Sequence, residues 1–434
     1  MRRLLPAILL FCSILSYGQD AAKEAKKSEL TLDGSFLERG EYRDGGMSTT
    51  SEEGISNRAS FIFQRARLRL NYVHDSLTFH FAPQHQTVWG MAGGGAFGLQ
   101  EGWVQYKMPA GLFFKIGRQE LAYDDQRIIG ADDWTMLASS HDVLKLGYDG
   151  PRHKVHAILA YNQNGIKYFG GNYYTEGSEA YKYMQTLWYH YSAKSFPFQG
   201  SLLFMNIGLQ GGTEEDNKDW YQQLFGTYLK FSPGKFDLSA SYYKQMGHEE
   251  NGIGVSAWMM SFLAEYKPVS EWKLSAGYDY LSGDEDFNVP SGGMIGLSRH
   301  TTVHGFSPLF GAHHKFYGAM DFFYVRTYYG SFTPGLQNAY FNVKYSPLPS
   351  LDLVAGYHYF AIATNIENLN KTLGHEIETS VKWSFHKSMA LQAGYTFMKG
   401  GDAMMQLRRI EEDNSLNWVW LQLVVSPSFL SRKR

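Results

Sequence analysis

The sequence predicts an all-β chain, an antiparallel transmembrane β-barrel of about eighteen strands, on three observations. The first is Phe61 to Val73, FIFQRARLRLNYV, in which Arg65, Arg67 and Arg69 share one parity and Ile62, Ala66, Leu68, Leu70 and Tyr72 the other. A strand sends alternate residues to opposite faces, so this segment has a cationic face and an apolar one. In a membrane barrel the apolar face meets lipid and the charged face lines a water-filled lumen; in a soluble sandwich it would meet a second sheet. The second is composition: of 434 residues 16% are aromatic, with 30 Tyr, 29 Phe and 45 Gly, which suits aromatic girdles and tight turns. The third is that, past the N-terminal leader, no stretch approaches the roughly 20 apolar residues of a membrane helix. A membrane crossing must then be made by strands.

The leader is MRRLLPAILLFCSILSYGQ. Arg2 and Arg3 are its basic head, Leu4 to Leu15 its apolar run, and Ser16 and Gly18 the small residues before a cut ahead of Gln19. This predicts export, with 1–18 as signal peptide and 19–28 as a flexible periplasmic lead. The single cysteine, Cys12, lies inside the apolar run rather than at its end, which disfavours a lipoprotein. The exported chain then has no thiol for disulfides, cysteine catalysis or a cysteine zinc site. The formal charge of −2 gives no expectation of nucleic-acid binding.

From Glu29 the segments alternate with period two. Lys235 to Tyr243 sets Phe236, Leu238, Ala240 and Tyr242 against Asp237, Ser239 and Ser241; Trp272 to Tyr280 and Met389 to Phe397 repeat the pattern. Short turns fall at His74 to Ser76, Met108 to Gly111, Asp149 to Arg152, Ser232 to Gly234, Lys267 to Ser270, Ser346 to Ser350 and His386 to Ser388. Between them lie longer polar stretches: Asp44 to Asn57, Leu121 to Ser140, Asn162 to Ala180, Gly211 to Asp219, Thr364 to Thr372 and Gly400 to Ser415. Short turns on one side and long loops on the other are the pattern of an outer-membrane barrel. A plain count gives nineteen segments. Treating Gly283 to Gly335 as one external excursion that folds inward or caps the mouth restores eighteen, with both termini in the periplasm. The barrel then spans 29–430, followed by a basic tail at 431–434. In the last segment, LNWVWLQLVVSP, Val419, Leu421, Leu423 and Val425 oppose Trp418, Trp420 and Gln422.

Several segments resemble the alginate export family of outer-membrane porins, in the branch found among Bacteroidota-like sequences. They are GRQELAYDDQRIIGADDW (Gly117 to Trp134), FSPLFGAHHKFYG (Phe306 to Gly318) and GYDYLSGD (Gly277 to Asp284), supported by RARLRL (Arg65 to Leu70) and LGHEIE (Leu373 to Glu378). In order and spacing they cover essentially the whole exported chain. The resemblance implies an eighteen-stranded, monomeric barrel in the bacterial outer membrane whose arginine-rich lumen passes an acidic polysaccharide such as alginate. The loops here are acidic, as in Glu214-Glu215-Asp216, Asp284-Glu285-Asp286 and Glu411-Glu412-Asp413, so the family name serves first as a label for the fold.

The expected function is passive passage of anionic solutes, with no covalent chemistry and no cofactor. The rival is a non-conducting outer-membrane barrel acting as adhesin, receptor or structural wall. The expected partners are outer-membrane lipid, the anionic solute or polysaccharide, and the barrel assembly machinery. Arginine suits a polyanion path because its planar guanidinium stays charged and grips carboxylates in pairs. Arg65, Arg67 and Arg69 are the first lumen candidates; the competing role is pairing with acids across the wall. Glu101, Gln105 and Lys107 on one strand and Lys115 on the next are further inward candidates. Arg118 shares parity with Leu112, Phe114 and Ile116, which aims it at lipid unless Gly117 marks a bulge; the resemblance favours the lumen. Arg127 completes the pore-lining set, although Asp124 and Asp125 beside it favour a structural ion pair. His313 and His314, with His300 and His304, have no carboxylate at a ligand spacing and are not assigned to a metal. No G-x-S-x-G, H-E-x-x-H or P-loop is present, and the chain is not expected to be an enzyme.

Overall fold

A computed structural model describes residues 28–45, 58–134, 138–175, 180–284, 302–323, 334–408 and 414–433. The predicted leader, nearly all of the 19–28 lead and parts of the acidic loop clusters lie outside these residues. The alternating segments form strands β1 (Ser28–Gly45), β2 (Arg58–His74), β3 (Leu77–Val88), β4 (Ala96–Lys107), β5 (Leu112–Gln119), β6 (His141–Asp149) and β7 (His153–Tyr161). They continue as β8 (Tyr183–Ser192), β9 (Phe198–Gly212), β10 (Asn217–Phe231), β11 (Phe236–His248), β12 (Gly254–Tyr266) and β13 (Trp272–Leu281). After the two-residue β14 (Thr302–Val303) come β15 (Leu336–Leu348), β16 (Leu351–Ala361), β17 (Thr372–His386), β18 (Met389–Gly400), β19 (Ser415–Val425) and β20 (Ser428–Lys433).

Each wall strand pairs antiparallel with the next. β13 pairs directly with β15, so 283–335 is a single excursion, and β19 returns to β1 from Phe36↔Val425 to Gly45↔Leu416. The result is a closed eighteen-strand antiparallel barrel, which leaves no free sheet edge around its circumference. β14 lies within the excursion, parallel to the start of β12. β20 extends the closing strand past Pro427, pairing with Glu29 to Asp33 of β1 after a register shift. The segment 211–219 reads as a loop in sequence, but β9 and β10 run through most of it and meet in a tight hairpin, Gly212↔Asn217.

The parity argument holds around the wall. Leu68, Phe81, Ile116, Leu187, Phe204, Phe262, Ile377 and Leu421 stand exposed on the outer face. Aromatic pairs such as Phe236 with Tyr266 (ring centroids 4.7 Å apart) and Trp272 with Tyr345 (4.5 Å) gather beside the short turns, where a girdle is expected. Wall height is uneven. β5 to β8 have 8 to 10 residues, about one membrane crossing, whereas β1 and β2 have 18 and 17.

The inside of the barrel is not uniformly polar. Ile158, Met184, Leu203, Met205, Leu224, Val255 and Met259 face inward and are buried in one cluster with Leu121, Ile128, Ile129, Phe306, Tyr317 and Phe323 of the two inward loops. The greasy inner face of β7 to β12 is thus covered by chain, while the charged inner face of β1 to β5 borders the lumen and a cavity of about 470 Å³ opens along Glu265, Lys273, Asp279, Lys344 and Glu378.

Candidate functional site: the lumenal constriction

Two loops build the constriction. The first, residues 120–140, leaves β5 and returns to β6; the second is the described part of the long excursion, 302–323. They meet backbone to backbone: the Gly130 N–H donates to Phe310 O (2.8 Å), the Phe310 N–H to Ile128 O (3.0 Å) and the Ala312 N–H to Gln126 O (2.9 Å). A Cβ at Gly130 would press on Ala312, and one at Gly311 on the Arg127 carbonyl, so this approach requires glycine on both sides.

Arg127 pins the junction. Buried at 3% exposure, it pairs with Asp125 (2.8 Å) and with Asp279 of β13 (2.9 Å), and its guanidinium lies 4.2 Å from the Phe316 ring. Asp279 also accepts from Ser261 (2.8 Å) and Asn338 (2.9 Å). Every oxygen of this buried carboxylate is therefore used, as an interior ion pair requires. Arg127 joins loop, wall and excursion, the structural ion-pair role that its acidic neighbours in sequence favour.

A second junction is built on Arg39, Glu41 and Arg43 of β1, which sequence reasoning did not single out. Arg39 of β1 pairs with Glu41 (2.8 Å), donates to Trp134 O (3.0 Å) and lies over the Trp134 ring (4.0 Å). His314 stacks on Trp134 at 4.0 Å and a 3° interplanar angle, and holds Asp321 at 2.9 Å. Trp418 donates to Glu41 (3.0 Å) and lies under Arg43 (4.6 Å). The available signal was the parity of Arg39, Glu41 and Arg43 in ERGEYRD.

The ladder itself divides. Arg65 and Arg67 both reach Asp133 of the first loop, at 3.1 and 2.9 Å, and Arg67 also donates twice to Gln84 (2.8 and 2.6 Å). Arg69 is half-buried opposite Asp33 and has no ion-pair partner among the described residues. Lys115 faces Lys145 across the β5–β6 pair, and its ammonium lies 3.7 Å from the Trp103 ring centroid. Neither lysine has an ion-pair partner among the described residues. Trp103 stacks on His80 (5.0 Å), and Glu101 lies 3.5 Å from His80. Gln105 is Lys115's register partner. Lys107 is exposed at the periplasmic end of β4, beside the turn and away from the constriction.

Arg118 departs from the bulge expectation. No register shift occurs at Gly117; Arg118 keeps the outward parity of Ile116 and grips its register partner Asp142 with two contacts, 3.1 and 2.6 Å. Pairing offsets the roughly 2–4 kcal/mol that a lone arginine would cost at mid-membrane.

Burial also shifts acids of the first loop. Asp124, which accepts from Trp188 Nε1 (3.0 Å), is pushed up to about 6, chiefly by burial. Glu120 is raised by burial and by the nearby Glu101 and Asp133 carboxylates.

A closed barrel with an aromatic girdle, a lipid-facing belt and a charged lumen narrowed by two inward loops defines a channel of the bacterial outer membrane. The model of the alginate export family ("Alginate export") matches residues 96–415, and the chain belongs to that family, a family of channels rather than enzymes. Its fold is similar to those of Pseudomonas aeruginosa OccK2 (OpdF; TM-score 0.62, 12% identity, 92% of this chain and 98% of that one) and OccK9 (OpdG; 0.60, 14%, 93% and 99%). Acinetobacter baumannii OccAB1 is similar as well (0.58, 12%, 92% and 97%). No curated protein matches the sequence.

Proposed function

We propose that the channel passes anionic solutes, carboxylate-bearing oligosaccharides of the alginate type among them, along the inner face of β1 to β6. The observation that carries this reading is the set of Arg69, Lys115 and Lys145, which face the lumen without an ion-pair partner among the described residues, below an Arg65–Arg67 pair that shares a single carboxylate. Cations held there raise the local anion concentration without binding so tightly that release is slow. The barrel closes on itself within one chain, so each copy carries a complete lumen of its own, and we take it to act as a monomer inserted by the barrel assembly machinery.

The test is the reversal potential across a planar bilayer under a salt gradient, for the native protein and for Arg69→Ala/Lys115→Ala/Lys145→Ala. Anion selectivity that falls in the variant supports the proposal. A silent native protein would favour the reading in which the meeting loops plug the barrel and it serves as a receptor, adhesin or structural wall.

A further inference from the structure

The wall has a gap at its long-loop end, between β4 and β6. β4 pairs with β3 from Leu77↔Tyr106 to Gln86↔Ala96, but with β5 only from Gly102↔Arg118 to Lys107↔Phe113. The other edge of Ala96 to Gln100 has no strand beside it among the described residues, because the chain leaves β5 after Gln119 and turns into the lumen. Lipid-exposed sheet edges are not tolerated in the hydrocarbon, since their N–H and C=O groups find no partners. Here a side chain serves one of them: Arg118 Nη1 approaches the Leu99 carbonyl at 3.4 Å.

A cavity of about 430 Å³ occupies the gap, within the roughly 300–1,000 Å³ range of small-molecule sites. Its lining comes from both sides of the wall. Phe97 and Leu99 are exposed on the outer face, and Arg118 shares that parity; Gln84, His141 and Phe310 lie inside. A closed wall could not place these two sets around one cavity. The outer rim is apolar, and the inner surface offers hydrogen-bonding groups, Gln84, Ser139 and Ser140 with the carboxylate of Asp132, to which a hydroxyl can donate, while Arg118 at the rim is neutralised by Asp142. Gly98 lies in the middle, opposite Gln84, and a Cβ there would meet nothing within 4 Å.

We propose that this gap is a lateral binding site for a single-chain amphiphile of the surrounding outer leaflet, with its uncharged polar head inside the wall and its alkyl chain lying outward along Phe97 and Leu99. Head-group hydroxyls supply the hydrogen bonds that the free edge of β4 lacks. The site goes beyond axial passage of anions and does not depend on it.

The test is photolabelling in lipid vesicles with dodecyl glucoside carrying a diazirine on its chain near the head group, mapped by mass spectrometry. Labelling of Phe310, on the lumenal side, together with Phe97 or Leu99 is expected. Gly98→Trp, which fills the cavity, and Leu99→Glu, which places a charge on the rim, should each remove the Phe310 label while the barrel keeps its heat-modifiable migration. Labelling confined to the outward residues, or a Phe310 label unchanged in both variants, would overturn the proposal. So would equal labelling of Phe310 by a diazirine-bearing methyl glucoside without the chain, since that route is the open mouth.

Discussion

Asp133 and Asp124 are two carboxylates of one loop set to opposite tasks. Asp133 sits half in water between two guanidiniums and moderates the ladder. Replacing it in Asp133→Asn removes the carboxylate that Arg65 and Arg67 share, so the anion-to-cation permeability ratio should rise by about two- to fivefold, a change of about 1 kcal/mol or less in the pore; an unchanged ratio would show that these arginines lie off the path. Asp124 is held in a buried setting that favours its neutral form. Its folded value, about 6, lies above its ordinary 3.8, so folding takes up a proton between those values. The sign follows: the contribution of Asp124 to stability is largest below pH 4, is lost as pH rises from about 4 to 6, and is flat above, with a limit of about 3 kcal/mol. Thermal unfolding in detergent at pH 4.5 and 7.5 measures this, and Asp124→Asn should narrow the difference. At this scale the sequence was partly readable. Parity placed Arg65, Arg67 and Arg69 on the inner face, but which of them meets an acid depends on a loop arriving from 66 or 68 residues away. Arg118 was misleading because its partner Asp142 stands on another strand.

The two inward loops are the elements that narrow the lumen of the barrel. Their apolar residues cover the inner face of β7 to β12, and Arg127 with Asp279 fastens them to the wall. Arg127→Met leaves Asp279 buried without its cation, which should cost about 3–5 kcal/mol. Pairing it with Asp279→Asn should recover much of that loss in a double-mutant cycle of unfolding free energies. Additive losses would mean that the pair does not hold the loops. Current noise should increase in the single variant as the loops come loose. Gly311→Val, which forces apart the backbones at Gly311 and Arg127, should have a similar effect on noise with the ion pair intact. The excursion was legible from strand counting, since only one long departure between β13 and β15 leaves an even barrel. Where the excursion goes was not legible. One overlooked signal was SLLFMNIGL in β9, apolar in both parities, because a strand with lipid outside and packed loops inside needs no polar face.

Over the whole molecule the inner face is apolar along β7 to β12, while charged residues line β1 to β6 and, around a cavity of about 470 Å³, β12 to β17. The near-neutral total charge hides these arrangements, because the cations of β1 to β6 are offset by acids on the same strands and in the loops. Architecture was legible from alternation, turn placement and aromatic content, all of which are local and repeat many times. The path was less so, since it depends on contacts among residues distant in sequence. The most direct measurement is the zero-current potential of single channels in a tenfold salt gradient, for the native protein and the Arg69→Ala/Lys115→Ala/Lys145→Ala variant. We expect the native channel to prefer anions and the variant to lose that preference with its conductance and heat-modifiable migration retained. A native channel that prefers cations, or a variant as anion-selective as its parent, would contradict the assignment of these cations to the solute path.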